Sequence, residues 1–140
     1  MSAKRVNPGC TSFIHNNKVI VIVAGGQGSS GPYQETPYYD SSELLFPETE
    51  DGWDWIQGPM LPIKVNAPAM VTLDDTVYLL GGSIQLEHPM ITAVDSIYQL
   101  QTYPDYEWIQ SNKYLKVARS HFKVFKVPGE YIRDSFQVVK

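Results

Sequence analysis

The strongest constraint on this sequence is that it repeats itself. Trp55-Ile56-Gln57 returns as Trp108-Ile109-Gln110, 53 residues on, and Gly25-Gly26 returns as Gly81-Gly82, 56 residues on. Ser42-Glu43-Leu44-Leu45 aligns with Ser96-Ile97-Tyr98-Gln99 at a spacing of 54, and the turn pair Asn16-Asn17 corresponds to Asp74-Asp75 at 58. Four landmarks in one order, at nearly constant spacing, define a repeating unit of about 54 residues. A unit of that size is a supersecondary element that buries its apolar side only against a neighbour.

Each unit reads as four short strands between turn residues. In the second unit Ala69 to Leu73 and Thr76 to Leu80 flank the turn Asp74-Asp75, and Gly81-Gly82 ends the pair. A loop from Ser83 to about Ala93 follows. Val94 to Leu100 alternates as a third strand, Tyr103-Pro104-Asp105 is turn chemistry, and Tyr106 to Gln110 is the fourth. β-Branched and aromatic residues fill these runs. The corresponding strands of the first unit are Thr11–His15, Lys18–Ala24, Ser42–Phe46 and Trp53–Gln57, and its longest connection is Gln27 to Ser41.

A third unit begins at His121–Lys126, with Pro128-Gly129 as its turn and Tyr131-Ile132 in the place of Tyr78-Leu79. Asp134-Ser135 stands where a double glycine is expected, and the sequence runs on to Phe136-Gln137-Val138-Val139. The expected organisation is a tail over 1–8, a first unit over 9–66, a second over 67–119 and a partial third over 120–140.

A strand ending in Gly-Gly, a third strand with aromatic or aliphatic content and a spaced Trp, at a period near 50, resemble kelch repeats. The residues that carry the resemblance are Tyr78-Leu79-Leu80-Gly81-Gly82, Ser96-Ile97-Tyr98 and Trp108 in one unit. In the other they are Ile22-Val23-Ala24-Gly25-Gly26, Ser42 to Phe46 and Trp55, followed by Gly58-Pro59-Met60-Leu61-Pro62. The resemblance spans about residues 9 to 132. It implies an all-β fold of kelch-like β-propeller blades, each a four-stranded antiparallel sheet. Propellers take roughly 4–8 blades, so 140 residues imply an incomplete ring of two to three. Such blades leave apolar faces and strand edges that invite self-association. Trp55 and Trp108, one per unit, are expected to fill the space between sheets. Trp53 has no counterpart.

Composition narrows the function. Eleven bases against fifteen acids give a net charge of −4, which argues against a nucleic-acid-binding surface. Seven acids and no base lie between Glu35 and Asp54, and seven bases against two acids between Lys113 and Lys140. These read as solvated faces, or the basic stretch as a surface for an acidic partner. Cys10 is the single cysteine, so an internal disulfide and a cysteine-rich zinc site are excluded. The apolar run Val19 to Ala24 is far short of the ~20 residues of a membrane span, and no apolar signal core follows Met1-Ser2-Ala3-Lys4-Arg5. A soluble, cytoplasmic protein is the expectation, with no membrane or nucleic-acid partner.

No catalytic or cofactor constellation emerges. Gly26-Gln27-Gly28-Ser29-Ser30-Gly31 matches G-x-G-x-x-G after an apolar strand. That fingerprint needs a following helix, and Pro32 and Pro37 break it. His15, His88 and His121 share no metal-ligand spacing, and no G-x-S-x-G elbow occurs. The carboxylates Glu48, Glu50, Asp51 and Asp54 fall on a hairpin turn and read as solvated rather than as a glycosidase pair.

The loops between second and third strands remain as the functional candidates. They carry Gln27, Tyr33, Gln34, Tyr38, Tyr39 and Asp40 in the first unit, and Gln85, Glu87, His88 and Met90 in the second. Tyr and Met suit protein contacts, while Tyr38 and Tyr39 could equally pack their loop onto its sheet. The expectation is a protein-interaction module that is not an enzyme, without metal or cofactor, binding a protein partner through these loops. The alternatives are a truncated propeller enzyme acting on carbohydrate or alcohol substrates, and a structural segment without activity of its own.

Overall fold

The computed structural model describes residues 1–28, 36–49, 52–87 and 90–129. Tyr33, Gln34 and His88, the turn residues Glu50 and Asp51, and the end of the third unit lie outside them. The described residues form an all-β fold of antiparallel sheets without an α-helix. No helix among them is long and apolar enough to cross a membrane.

Strands β1 (Gly9–His15), β2 (Lys18–Ala24), β3 (Ser42–Thr49) and β4 (Gly52–Gln57) form a four-stranded sheet in chain order. In the second sheet β5 (Ala69–Leu73) and β6 (Thr76–Leu80) are followed by β9 (Ser96–Gln101) and β10 (Glu107–Tyr114), in the order β5-β6-β9-β10. The expected loop between them instead contains a separate hairpin, β7 (Ser83–Gln85) and β8 (Ile91–Ala93). Three paired residues on each side are too short to show an alternating pattern in the sequence.

The turns obey the sequence chemistry. Asn16, Asn17, Asp74 and Asp75 all have positive φ, between 48° and 60°. Asn and Asp tolerate this conformation in two-residue hairpins. Gly25, Gly26, Gly81 and Gly82 are also left-handed. Ala24 pairs with Ser42, and Leu80 with Ile97. The structural match of Ser42 is therefore Ile97 and not Ser96, a correction of one residue. Because strand faces alternate, that residue makes Glu43, and not Leu44, the counterpart of Tyr98.

The two sheets share one core of Phe13, Ile20, Ile22, Ala24, Leu44, Leu61, Val65, Met70, Val77, Leu79, Tyr98, Leu100 and Trp108. Counting from the glycine pairs, Ile22 corresponds to Tyr78 and Val23 to Leu79. Ile22 and Leu79 are both fully buried in the shared core, so opposite faces of equivalent strands meet. That head-to-tail contact is how repeated units stack.

Trp108 belongs to this core, as expected, but Trp55 is only half-buried. Trp55 pairs with Leu45 and Trp108 with Leu100, so the two are equivalent by register. They differ because Trp108 faces the other sheet while Trp55 lies on the outer face of the first.

The start of the third unit forms no strand among the described residues, against the expectation for 121–126. Its entry nevertheless repeats. Asn7, Ala67 and His121 have φ of 51°, 51° and 55°. The Ala67 N–H donates to the Asn7 carbonyl and the His121 N–H to the Ala67 carbonyl, each at 3.1 Å. Gly26 donates to the Val65 carbonyl and Gly82 to that of Arg119, at 2.8 and 2.9 Å. The sequence match set His121 at the opening of the strand, whereas the backbone sets it at the left-handed residue before it.

Candidate functional site

Both candidate loops leave their sheets at a glycine pair. In the first unit Gln27 bridges Val6 on one side and Tyr38 on the other. The Tyr39 N–H donates to the Gly26 carbonyl, and its own carbonyl accepts from Val65. The Asp40 carbonyl accepts from Leu61 at 2.6 Å. Gln27, Tyr38, Tyr39 and Asp40 are thus brought together, all half-buried.

A strap formed by the first residues of the chain holds this loop. The Arg5 guanidinium lies 5.1 Å from the centre of the Tyr39 ring. Its Nη1 donates to the carbonyls of Gly25 and Ser41, at 3.0 and 3.1 Å, and its Nη2 donates to Ser41 Oγ at 2.9 Å. Arg5 Nε donates to Glu43 Oε2 at 3.2 Å in a buried ion pair. Glu43 also accepts from the Ser2 N–H and Oγ. Burial pushes the Glu43 carboxyl upward, but the Ser2 and Arg5 hydrogen bonds and the Arg5 charge outweigh it, leaving the group below its ordinary range. Such a bidentate-capable fork suits Arg and not Lys.

In the second unit the hairpin β7–β8 projects from the sheet. Ser83 bridges Asn66, and the Val94 N–H donates to the Gly82 carbonyl at 2.9 Å. At its tip the Leu86 N–H donates to Met90 and the Met90 N–H to Glu87. Gln85, Glu87 and Met90 are exposed, as are two apolar neighbours that do not stand out in the sequence. Leu86, Met90 and Ile91 stand 58%, 60% and 59% exposed. The signal was present as apolar residues flanking Glu87-His88-Pro89, but only the pairing of Gln85 with Ile91 shows that they share a hairpin.

The histidines go to different surroundings. His15 meets the Tyr106 ring edge-on at 5.6 Å, and His121 contacts Ser120 Oγ at 3.1 Å. Trp53 is 70% exposed on the outer strand.

No protein family matches this sequence, and no curated protein matches it. Among solved structures the chain is similar to YjhT, with a TM-score of 0.62 and 14% sequence identity, over 91% of this chain and 34% of that one. It spans about a third of that protein's length, and at this identity the likeness is one of fold.

Proposed function

We propose that the two four-stranded sheets are kelch-like propeller blades and that the chain is a protein-interaction module, not an enzyme, which engages a partner protein through the loops after its glycine pairs. The repeated Gly-Gly geometry, the register-equivalent Trp55 and Trp108 and the head-to-tail packing support the blade reading. One observation carries the functional reading: the β7–β8 hairpin holds Leu86, Met90 and Ile91 in solvent beside Gln85 and Glu87. Exposed apolar side chains rimmed by polar ones mark protein contact surfaces. The first loop supplies Gln27, Tyr38 and Asp40 on a scaffold held by Arg5.

Affinity capture with the wild-type chain, a Leu86→Ser/Ile91→Ser variant and a Trp53→Ser control tests this. The reading expects proteins retained by the wild type and the control to be lost from the hairpin variant. Identical recoveries from all three would overturn it, and turnover on a panel of glycans and alcohols would overturn the non-enzyme assignment.

A further inference from the structure

A cleft of about 280 Å³ opens where the first strands of the two sheets meet the start of the third unit. Pro8, Pro68, Met70, Phe122, Val124 and Phe125 supply its apolar walls, and Cys10 and Lys123 also line it. A second cleft of about 260 Å³ adjoins it, sharing Pro8, Pro68, Phe122 and Lys123, with Asn7 and His121 beside them. The backbone ladder through Asn7, Ala67 and His121 lines this second cleft, so the site is built by all three repeated entries.

We propose that the joined clefts bind a small apolar carboxylate, its ring or short chain between Pro8, Pro68, Met70 and Phe122 and its anionic head at Lys123. Three observations favour that chemistry. Binding pockets are lined mainly by apolar side chains with a few polar groups that fix orientation; the lining side chains here are of that kind, and polar surface of the lining residues also faces the larger cleft. Each cleft alone lies just below the roughly 300–1,000 Å³ range of drug-sized ligands, so the larger one takes only a small body. The charge is complementary: in a chain of net charge −4, no acid lines either cleft among the described residues, while Lys123 lines both. Cys10 is not a reactive centre here. Burial pushes its thiol up from the ordinary value, which keeps it protonated at neutral pH. It serves instead as a reporter on the wall of the cleft.

The probe is 1-naphthoate, with 1-naphthalenemethanol as the uncharged analogue. The readout is the rate at which N-ethylmaleimide alkylates Cys10, the single thiol of the chain. Naphthoate is expected to slow alkylation at least fivefold at saturation, and the alcohol to protect about tenfold more weakly. Lys123→Ala is expected to reduce naphthoate to the level of the alcohol, while Trp53→Ser leaves both unchanged. An alkylation rate indifferent to millimolar naphthoate would sink the site. Equal protection by acid and alcohol in the wild type would sink the assignment of Lys123. Lys123 is exposed, so its loss leaves the core intact, and unchanged thermal unfolding of the variant verifies that.

Discussion

At Gly81 an added Cβ would lie 2.5 Å from the Arg119 carbonyl oxygen, and at Gly25 it would lie 2.7 Å from that of Val65. Both glycines are left-handed, at φ 58° and 65°, so an alanine meets steric and conformational cost together. Gly81→Ala is expected to lower the free energy of unfolding by about 1–3 kcal/mol, read by urea denaturation. Gly129→Ala, where nothing lies within 4 Å, should leave it unchanged. Arg5 and Glu43 pose a different problem at the same scale. By backbone position Arg5 corresponds to Val65, and Glu43 to Tyr98. The first unit thus buries an ion pair where the second buries two apolar side chains, at 0% and 4% exposure. Arg5→Ala leaves Glu43 buried and uncompensated and should cost about 3–5 kcal/mol. Arg5→Val with Glu43→Tyr, the second unit's own residues, should recover most of that, since apolar replacement of a buried pair is often neutral. The pair also carries a pH signature. Glu43 is depressed in the folded chain. Its contribution is therefore complete above the ordinary carboxylate value of about 4.3 and is lost as pH falls through the lower folded value. The difference in stability between wild type and Glu43→Gln should shrink as denaturation is repeated from neutral pH down into that range. Neither residue stands out in the sequence, because their partnership spans 38 positions and becomes visible only through sheet register.

Elements differ in how far the sequence exposes them. Strands β2, β5 and β6 are readable to the residue, because a turn pair and a glycine pair bound β2 and β6 and the turn pair Asp74-Asp75 ends β5. In sequence the fourth strand of the second unit ends at Gln110, while β10 runs to Tyr114 past a register shift between Gln110 and Tyr114. Ser111-Asn112, where the Lys113 N–H donates to Ser111 Oγ at 3.1 Å, reads as a strand end but marks an irregularity within the strand. The β7–β8 hairpin was legible only as a loop. Its stability is set by three residue pairs, and its exposed side chains add no burial. Amides of β7 and β8 are therefore expected to exchange with deuterium well before those of β6 and β9, whose strands carry Val77, Leu79, Tyr98 and Leu100 into the core. Equal protection of hairpin and sheet would show that the hairpin is held by more than its own ladder. The two equivalent tryptophans separate on the same logic. Trp108→Ala should cost about 3–5 kcal/mol, and Trp55→Ala clearly less. Trp108 Nε1 has no hydrogen-bond partner among the described residues, so Trp108→Phe should retain most of the stability. Urea midpoints of the three variants give the order.

On the scale of the whole molecule, the head-to-tail packing leaves two faces unlike the one they form. The row Val77, Leu100 and Trp108 is buried under the first sheet, at 1%, 3% and 5% exposure. Its register equivalent, Val21, Leu45 and Trp55, lies on the outer face of the first sheet. Leu45 remains buried there, but around it Ile14, Val19 and Trp53 stand largely in solvent. The repeat made this arrangement foreseeable in outline, since a unit that stacks on one neighbour has a second side to cover. Which side chains stay open is not foreseeable from the sequence, because its match is one residue out in the third strand and so inverts the facing parity there. A contiguous apolar sheet face with two tryptophans drives association unless polar groups interrupt it. The wild-type chain is therefore expected to gain mass with concentration in light scattering. The solvent-exposed substitution Val19→Lys, alone or with Trp53→Ser, should return it toward the monomer without lowering its unfolding midpoint. Lys on the outer sheet of the second unit, at Ile109, tests the opposite face. If Val19→Lys suppresses association and Ile109→Lys does not, the first sheet's outer face is the contact. If both do, the two faces meet head to tail between copies as they do within one. A mass that stays monomeric at every concentration would show that the strap through Arg5 and Glu43 covers this face well enough to keep the chain apart.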